Sequence, residues 1–163
     1  MLALLAAACS KPASLPVQST SGPAPSLPKG IVWTDGHHPM TVALGGAAQC
    51  LTTSPAEAAT ALAETNAVRR QAGLSPLRTN ARLQRAAEEH ACDMARRGTM
   101  THVGSTTTGP AARVKAQGYR PQITAENIAA GASSLFDLDG TLAQWSASPG
   151  HRANILLPMM QDT

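Results

Sequence analysis

Apolar positions recur at helical spacing through the middle of this 163-residue chain. Between residues 80 and 98 they fall three and four apart, which is the period of one helical face. The positions on that face are Leu83, Ala86, Ala87, His90, Ala91, Met94 and Ala95. The pattern predicts a helix that begins near Asn80 and ends at Gly98. Because His90 lies on the apolar face, we interpret it as a core histidine hydrogen-bonded to a neighbour rather than as a ligand.

Capping and turn residues mark the other elements. The stretch Ser54-Pro-Ala-Glu57 has the S-x-x-E capping box with proline at the first helical position, which predicts a helix as far as about Ala72. Further helices are predicted over residues 110–117, 136–145 and a short stretch after Ser148-Pro-Gly. A brief apolar run at residues 123–129 is short enough for one strand. Together these elements predict an α+β domain.

The first 49 residues differ in composition from the rest. Residues 1–9, MLALLAAAC, are an apolar run that ends in small residues and Cys9, a pattern typical of an export signal. Residues 10–49 are assigned to a flexible tether, because the chain as far as Pro28 has scarcely any large apolar residue. The tether also holds one short apolar run and the pair His37-His38. We interpret this pair as exposed and incidental, since adjacent residues do not share a face.

The cysteines extend the export prediction. Ala-Ala-Ala-Cys9 resembles the cleavage box of bacterial lipoproteins, which implies a lipid anchor on Cys9 as the expected contact with a membrane. The alternative is secretion with an unmodified Cys9. The remaining Cys50 and Cys92 are an even pair in an exported chain and predict a disulfide, worth on the order of 3 to 4 kcal/mol. A reactive thiol or a zinc thiolate site is the lesser alternative, since no second cysteine lies close to either.

Composition narrows the range of partners. A hydrophobic fraction of 43% is enough for one core, which we place in residues 50–163. Aromatic residues make up 2% of the chain, and its net charge of +3 is spread over mixed segments. These values provide neither a stacking surface nor a basic groove. We therefore expect no nucleic-acid partner.

Several motifs together resemble one known family. They are Leu62-x-x-x-Asn66-x-x-Arg69, Gly73-Leu-x-Pro-Leu77, Thr-Met-Thr-His102, Ala-Glu126-Asn127-Ile-Ala, and Trp145-x-x-Ser148-Pro-Gly-His151-Arg-x-Asn154-Ile-Leu. In this order and spacing they resemble the bacterial branch of the CAP superfamily, or SCP domain. That family is named after cysteine-rich secretory proteins, antigen 5 and plant pathogenesis-related proteins. The resemblance covers about residues 54–163.

The resemblance implies a three-layer α-β-α sandwich with a cleft lined by two histidines and two acidic residues, which binds zinc in several members. His102, Glu126 and His151 match three of those positions and are the expected metal ligands. Ser148 stands where animal members carry the second glutamate. Two histidines and one carboxylate still supply three ligands with an open position for water. Ser148 and Asn127 are expected to line the same cleft.

These residues lead to three functional hypotheses. The first is an exported binding module whose cleft contacts a small ligand, a lipid or a cell-wall component. The alternative is a zinc-assisted hydrolase of peptide or cell-wall polymer, although the chain has neither H-E-x-x-H nor a nucleophile elbow. Pro149 and Gly150 also disfavour a hydrogen-bonded nucleophile pair of Ser148 and His151. In the third hypothesis the histidines and Glu126 are a structural polar cluster. No catalytic residue is assigned.

The end of the chain adds one expectation. The sequence stops at Thr163, where family members normally continue into closing β-strands. We therefore expect a fragment that lacks those strands, with stability reduced by an uncovered sheet edge.

Overall fold

The structure is a computed structural model that describes residues 30–42, 48–131 and 137–163. The predicted signal with Cys9, the tether before residue 30 and Phe136 lie outside these ranges. The elements in chain order are β1 (Ile31–Thr34), β2 (Met40–Thr41), α1 (Pro55–Gln71), α2 (Ala81–Arg97), β3 (Thr99–Met100), α3 (Pro110–Ala116), β4 (Ile123–Glu126), α4 (Leu138–Ala147) and α5 (Pro149–Ile155). Within the described ranges, each helix is too short or too polar to span a bilayer.

Helices α1 and α2 begin and end close to the residues that their capping motifs predict. Ser54 and Glu57 form the reciprocal capping box of α1, and Asn80 caps α2. Gly98 ends α2 in the left-handed conformation with φ of 59°, which glycine adopts without a Cβ penalty. Helix α4 begins at Leu138 rather than at residue 136, because the Asp137 side chain accepts a hydrogen bond from the Gly140 amide at 2.7 Å.

The buried face of α2 is narrower than the face that the spacing of its apolar residues predicts. Ala86, His90 and Met94 are buried, whereas Ala87 and Ala91 are exposed. Met94 packs with Met100 of β3 and Ile128 after β4 in the core cluster. This cluster fixes the loop that follows β3 against the segment that follows β4.

Two small sheets bring the N-terminal segment onto the domain. Strand β1 pairs in parallel with β4 along its length, from Ile31 opposite Ile123 to Thr34 opposite Glu126, and β2 pairs antiparallel with β3. Both β1 and β2 fall in the range 10–49 that composition assigns to the tether, yet they are hydrogen-bonded to the domain. The residue that follows β1 is thereby placed beside the end of β4.

Two long-range links fix the helices that support this region. Cys50 and Cys92 form the predicted disulfide, which joins the segment before α1 to α2. Arg69 of α1 is 1% exposed, and its guanidinium donates to the carbonyls of Ile155 and Leu157 at 2.7 and 2.9 Å. This buried arginine ties α1 to the end of α5, so α5 has a defined position. The α+β fold class is confirmed.

Candidate functional site

The ends of four elements bring together one cluster of carboxylates and histidines, which is called the cleft below. His102 follows β3, Glu126 is the last residue of β4, and His151 lies in α5. Two of these three residues, His102 and His151, lie against the carboxylate of Asp35, which follows β1. Glu126 is linked to Asp35 through His102. Sequence reasoning missed Asp35.

The Asp35 carboxylate is the centre of the cleft, and its side chain is fully buried. Its Oδ1 atom accepts hydrogen bonds from His102 Nε2 at 2.8 Å and from the His37 backbone amide at 3.0 Å. Its Oδ2 atom accepts from the Ile128 amide at 2.9 Å and lies 3.3 Å from His151 Nε2. Burial alone would raise the pKa of Asp35, but the hydrogen bonds from Ile128, His102 and His37 outweigh it and lower this pKa to about 2. Asp35 is therefore ionised at neutral pH.

His102 connects Asp35 to a second carboxylate. Its Nδ1 atom lies 2.8 Å from Glu126 Oε1, while the other Glu126 oxygen pairs with the Arg113 guanidinium. Burial lowers the pKa of His102, but the bonds to Glu126 and Asp35 raise it above its ordinary value. Burial likewise raises the pKa of Glu126, and the bonds from His102 and Arg113 lower it overall. A chain of hydrogen bonds and ion pairs thus runs from Arg113 through Glu126 and His102 to Asp35.

His151 is held on its opposite side by Ser148. The Ser148 hydroxyl lies 2.9 Å from His151 Nδ1, and the indole of Trp145 stacks on the imidazole with ring centroids 5.9 Å apart. The sequence argument against a hydrogen bond between Ser148 and His151 is therefore wrong. Ser148 is the N-cap of α5, so one helical turn brings its side chain over the residue three positions later.

Gly150 explains how α5 approaches the N-terminal segment so closely. A Cβ atom at this position would overlap the backbone carbonyl of Asp35. The Ser148-Pro-Gly turn therefore aims His151 into the cleft and also leaves space for the segment that carries Asp35.

Asn127 supports the cleft from behind. Its amide nitrogen donates to the backbone carbonyl of His151 at 3.1 Å, and its side-chain oxygen accepts from Asn154 at 2.8 Å. Asn154 also donates to the backbone carbonyl of Glu126 at 3.1 Å. These bonds fix α5 to the end of β4.

Two further histidines lie close to this network. His90 is buried, and its Nε2 atom bonds the Thr101 carbonyl at 2.8 Å, so its interpretation as a core histidine is confirmed. His37 has a side chain 43% exposed, as expected, but its Nδ1 atom lies 3.0 Å from Asp35 Oδ1 and its ring centroid lies 5.0 Å from that of His151. It is therefore part of the cleft and not incidental.

Among the residues that the structure describes, one group has metal-ligand chemistry, and it lies in this cleft. Asp35, His37 and His151 each offer a ligand atom, and these atoms all lie within 4.8 Å of one another. His151 also belongs to the set expected from the sequence. The other two expected ligands, His102 and Glu126, bond each other directly, so the ligand set of His102, Glu126 and His151 stays a prediction.

The fold and this cleft define a class: small α+β domains whose loops and helix ends gather histidines and carboxylates in one cleft. Residues 62–163 match the Cysteine-rich secretory protein family, CAP, and the chain belongs to this family.

One relative and one solved structure are also similar to this chain. The "Uncharacterized protein YkwD" of Bacillus subtilis is 33% identical over 94 residues, which are 58% of this chain and 35% of that protein. This chain therefore spans about a third of the length of that relative. An outer surface protein from Borrelia burgdorferi has a similar structure, with a TM-score of 0.54 and 19% identity over 68% of this chain and 79% of that one. At this identity the likeness concerns the fold alone.

Proposed function

We propose that this chain is an exported CAP-family binding module whose cleft holds a divalent cation at Asp35, His37 and His151. The observation that carries the proposal is the approach of three ligand atoms from these residues to within 4.8 Å of one another. The expected partner is a small ligand, a lipid or a cell-wall component that reaches the cleft from outside the cytoplasm.

The donor chemistry suits zinc. Two imidazole nitrogens and one carboxylate oxygen are a ligand set that Zn²⁺ binds with a further position open. A cation bound there would supply positive charge and a coordination position for a ligand oxygen.

Ser148 makes His151 a suitable ligand. An imidazole that binds a metal through Nε2 must carry its proton on Nδ1, which needs an acceptor. The Ser148 hydroxyl lies 2.9 Å from that nitrogen and is able to accept or donate a hydrogen bond. The same hydroxyl therefore serves the metal-bound and the metal-free states.

Three features support export. The first nine residues have the pattern of an export signal, with Cys9 as the site for a lipid anchor. The Cys50–Cys92 disulfide is typical of proteins in oxidising compartments. The family description itself refers to secretory proteins.

The proposal is tested by calorimetric titration of the full chain with zinc. We expect one site, with the affinity reduced on the order of 100-fold or more in His37→Ala and His151→Ala, since changes around a ligand already cost about 10–100-fold. His38→Ala is the matched control, because this exposed histidine lies outside the ligand group. No zinc binding by the folded chain would refute the proposal.

Two more variants separate the ligand sets. Loss of binding in His102→Ala and Glu126→Gln with binding retained in His37→Ala would establish His102, Glu126 and His151 as the ligands instead. The hydrolase alternative requires a metal-activated water. Zinc-dependent cleavage of a peptide or cell-wall polymer that is lost in His151→Ala would replace the binding function with hydrolysis.

A further inference from the structure

Nitrogen atoms of the cleft face both oxygens of the Asp35 carboxylate, as they would face the carboxylate of a bound ligand. Five nitrogens face its two oxygens, and two of them belong to His37 in the same segment. The other three are His102 Nε2 at 2.8 Å, the Ile128 amide at 2.9 Å and His151 Nε2 at 3.3 Å. They belong to the loop after β3, the segment after β4 and α5, which are separate parts of the domain. None of the three lies in the segment that carries Asp35.

The segment around Asp35 is otherwise on the surface. Val32 and Trp33 are 45% and 40% exposed, and residues 36–41 are all exposed. Asp35 is 8% exposed. A single buried carboxylate therefore enters the cleft from an exposed strand, while its three partners outside that segment belong to the core.

The donors of the cleft favour a carboxylate at this position. His102 Nε2, the Ile128 amide and His151 Nε2 face the two oxygens of Asp35 from separate elements. Without Asp35 these three nitrogens would lose the oxygens that they now face. A carboxylate supplies two acceptor oxygens for them.

We propose that the cleft is a carboxylate-recognition site, that Asp35 fills it in cis, and that a ligand with a free carboxylate binds there in place of Asp35. The inference rests on the proposed function as a binding module and names its ligand class. The carboxylate comes from a small organic acid or from the C-terminus of a peptide. Binding displaces the segment of β1 and β2, and with it Asp35 and His37, so the carboxylate-bound state and the cation-bound state of the proposed function exclude each other.

The test uses Asp35→Ala in the full chain, in metal-free buffer without a carboxylate chelator. The first probe is sodium acetate, with acetamide as the neutral isostere and sodium chloride at equal ionic strength. We expect acetate alone to raise Tm by about 3 °C and to move the ¹H–¹⁵N signal of the Ile128 amide. Asp139→Ala is the matched control, because it removes an exposed carboxylate outside the cleft, and acetate should leave it unchanged. We expect the wild-type chain to bind acetate at least tenfold more weakly than Asp35→Ala, because Asp35 competes with the ligand.

A second probe identifies the source of the carboxylate. A dipeptide with a free C-terminus that binds tenfold tighter than acetate, while its C-terminal amide does not bind, assigns the site to chain termini. Tighter binding of acetate assigns it to small acids.

The inference is overturned if folded Asp35→Ala responds equally to acetate and acetamide, or to neither. If Asp35→Ala does not fold, Gly150→Ala replaces it, because its added Cβ displaces the Asp35 backbone while the carboxylate remains in the chain. Failure of Gly150→Ala to bind acetate would also overturn the inference. Zinc titration in acetate-free buffer is a separate measurement, so loss of carboxylate binding alone leaves the proposed cation site standing.

Discussion

Replacing Asp35 by asparagine removes the central charge of the cleft while it keeps the size of the side chain. The amide has one acceptor oxygen, and its NH₂ group faces one of the N–H donors that now bond the carboxylate. We expect Asp35→Asn to lose about 2 to 3 kcal/mol of unfolding free energy at pH 7, as for hydrogen bonds to a charged group.

The stability difference between wild type and Asp35→Asn should also depend on pH. The folded pKa of Asp35 is about 2, against an ordinary value of 3.8. This shift is equivalent to about 2 kcal/mol, and solvent screening reduces it to about 1 to 2 kcal/mol. Because the folded pKa is depressed, the stabilisation is complete above about pH 4 and is lost as the pH falls through about 2. The difference between wild type and variant should therefore shrink in that window.

Urea unfolding between pH 2 and pH 7 measures this difference. Glu126 also has a depressed pKa, so both proteins lose stability in acid, and the difference between them isolates the contribution of Asp35. Asp139→Asn serves as control and should stay within about 0.5 kcal/mol of wild type. A difference that stays constant from pH 2 to pH 7 would refute the charge argument.

Three further changes test the supports of the cleft. Gly150→Ala should lower the free energy of unfolding by about 1 to 3 kcal/mol. It should also weaken zinc binding, although no ligand is changed, because its Cβ displaces the Asp35 carbonyl. Wild-type zinc affinity in calorimetry would contradict this. Arg113→Met should lower the free energy of unfolding by about 3 to 5 kcal/mol, because Glu126 loses its cation. Part of this loss should be recovered when the Glu126 carboxyl is protonated, so urea unfolding should show a smaller loss at pH 5 than at pH 7. Reduction of the disulfide should cost about 4 kcal/mol in the loop-entropy model, and unchanged urea unfolding after reduction would show that the bridge contributes little.

The helices could be predicted from the sequence because local residues determine where they begin and end. The capping box at Ser54 and the left-handed Gly98 act within one turn of the residues they cap. The disulfide was predictable by counting cysteines. The positions of His102, Glu126 and His151 came from family motifs, and the structure places all three in one cleft.

The contribution of β1 could not be predicted in this way. Its pairing with β4 joins residues about 90 positions apart. The local sequence Ile31-Val-Trp33 does not indicate which strand it pairs with. Composition assigns the whole region to a tether because most of it is polar and small. The one available signal was the apolar run before Asp35 and Gly36, which is typical of a strand that ends in a turn.

The hydrogen bond between Ser148 and His151 leads to the last prediction. In the metal-free cleft His151 Nε2 faces Asp35 Oδ2 at 3.3 Å, so we expect the imidazole proton on Nε2 and a hydrogen bond from the Ser148 hydroxyl to Nδ1. Metal ligation through Nε2 moves the proton to Nδ1, where the Ser148 oxygen accepts it.

Ser148→Ala removes that acceptor, so we expect about tenfold weaker zinc binding, with Ser148→Thr restoring most of the affinity because it keeps the hydroxyl. ¹⁵N NMR of the imidazole provides a second readout, because zinc should switch the His151 tautomer in the wild type. Equal zinc affinity in the alanine variant, or an unchanged tautomer in zinc-loaded wild type, would mean that His151 does not bind the cation through Nε2. The cation site would then require the other cleft histidines as ligands.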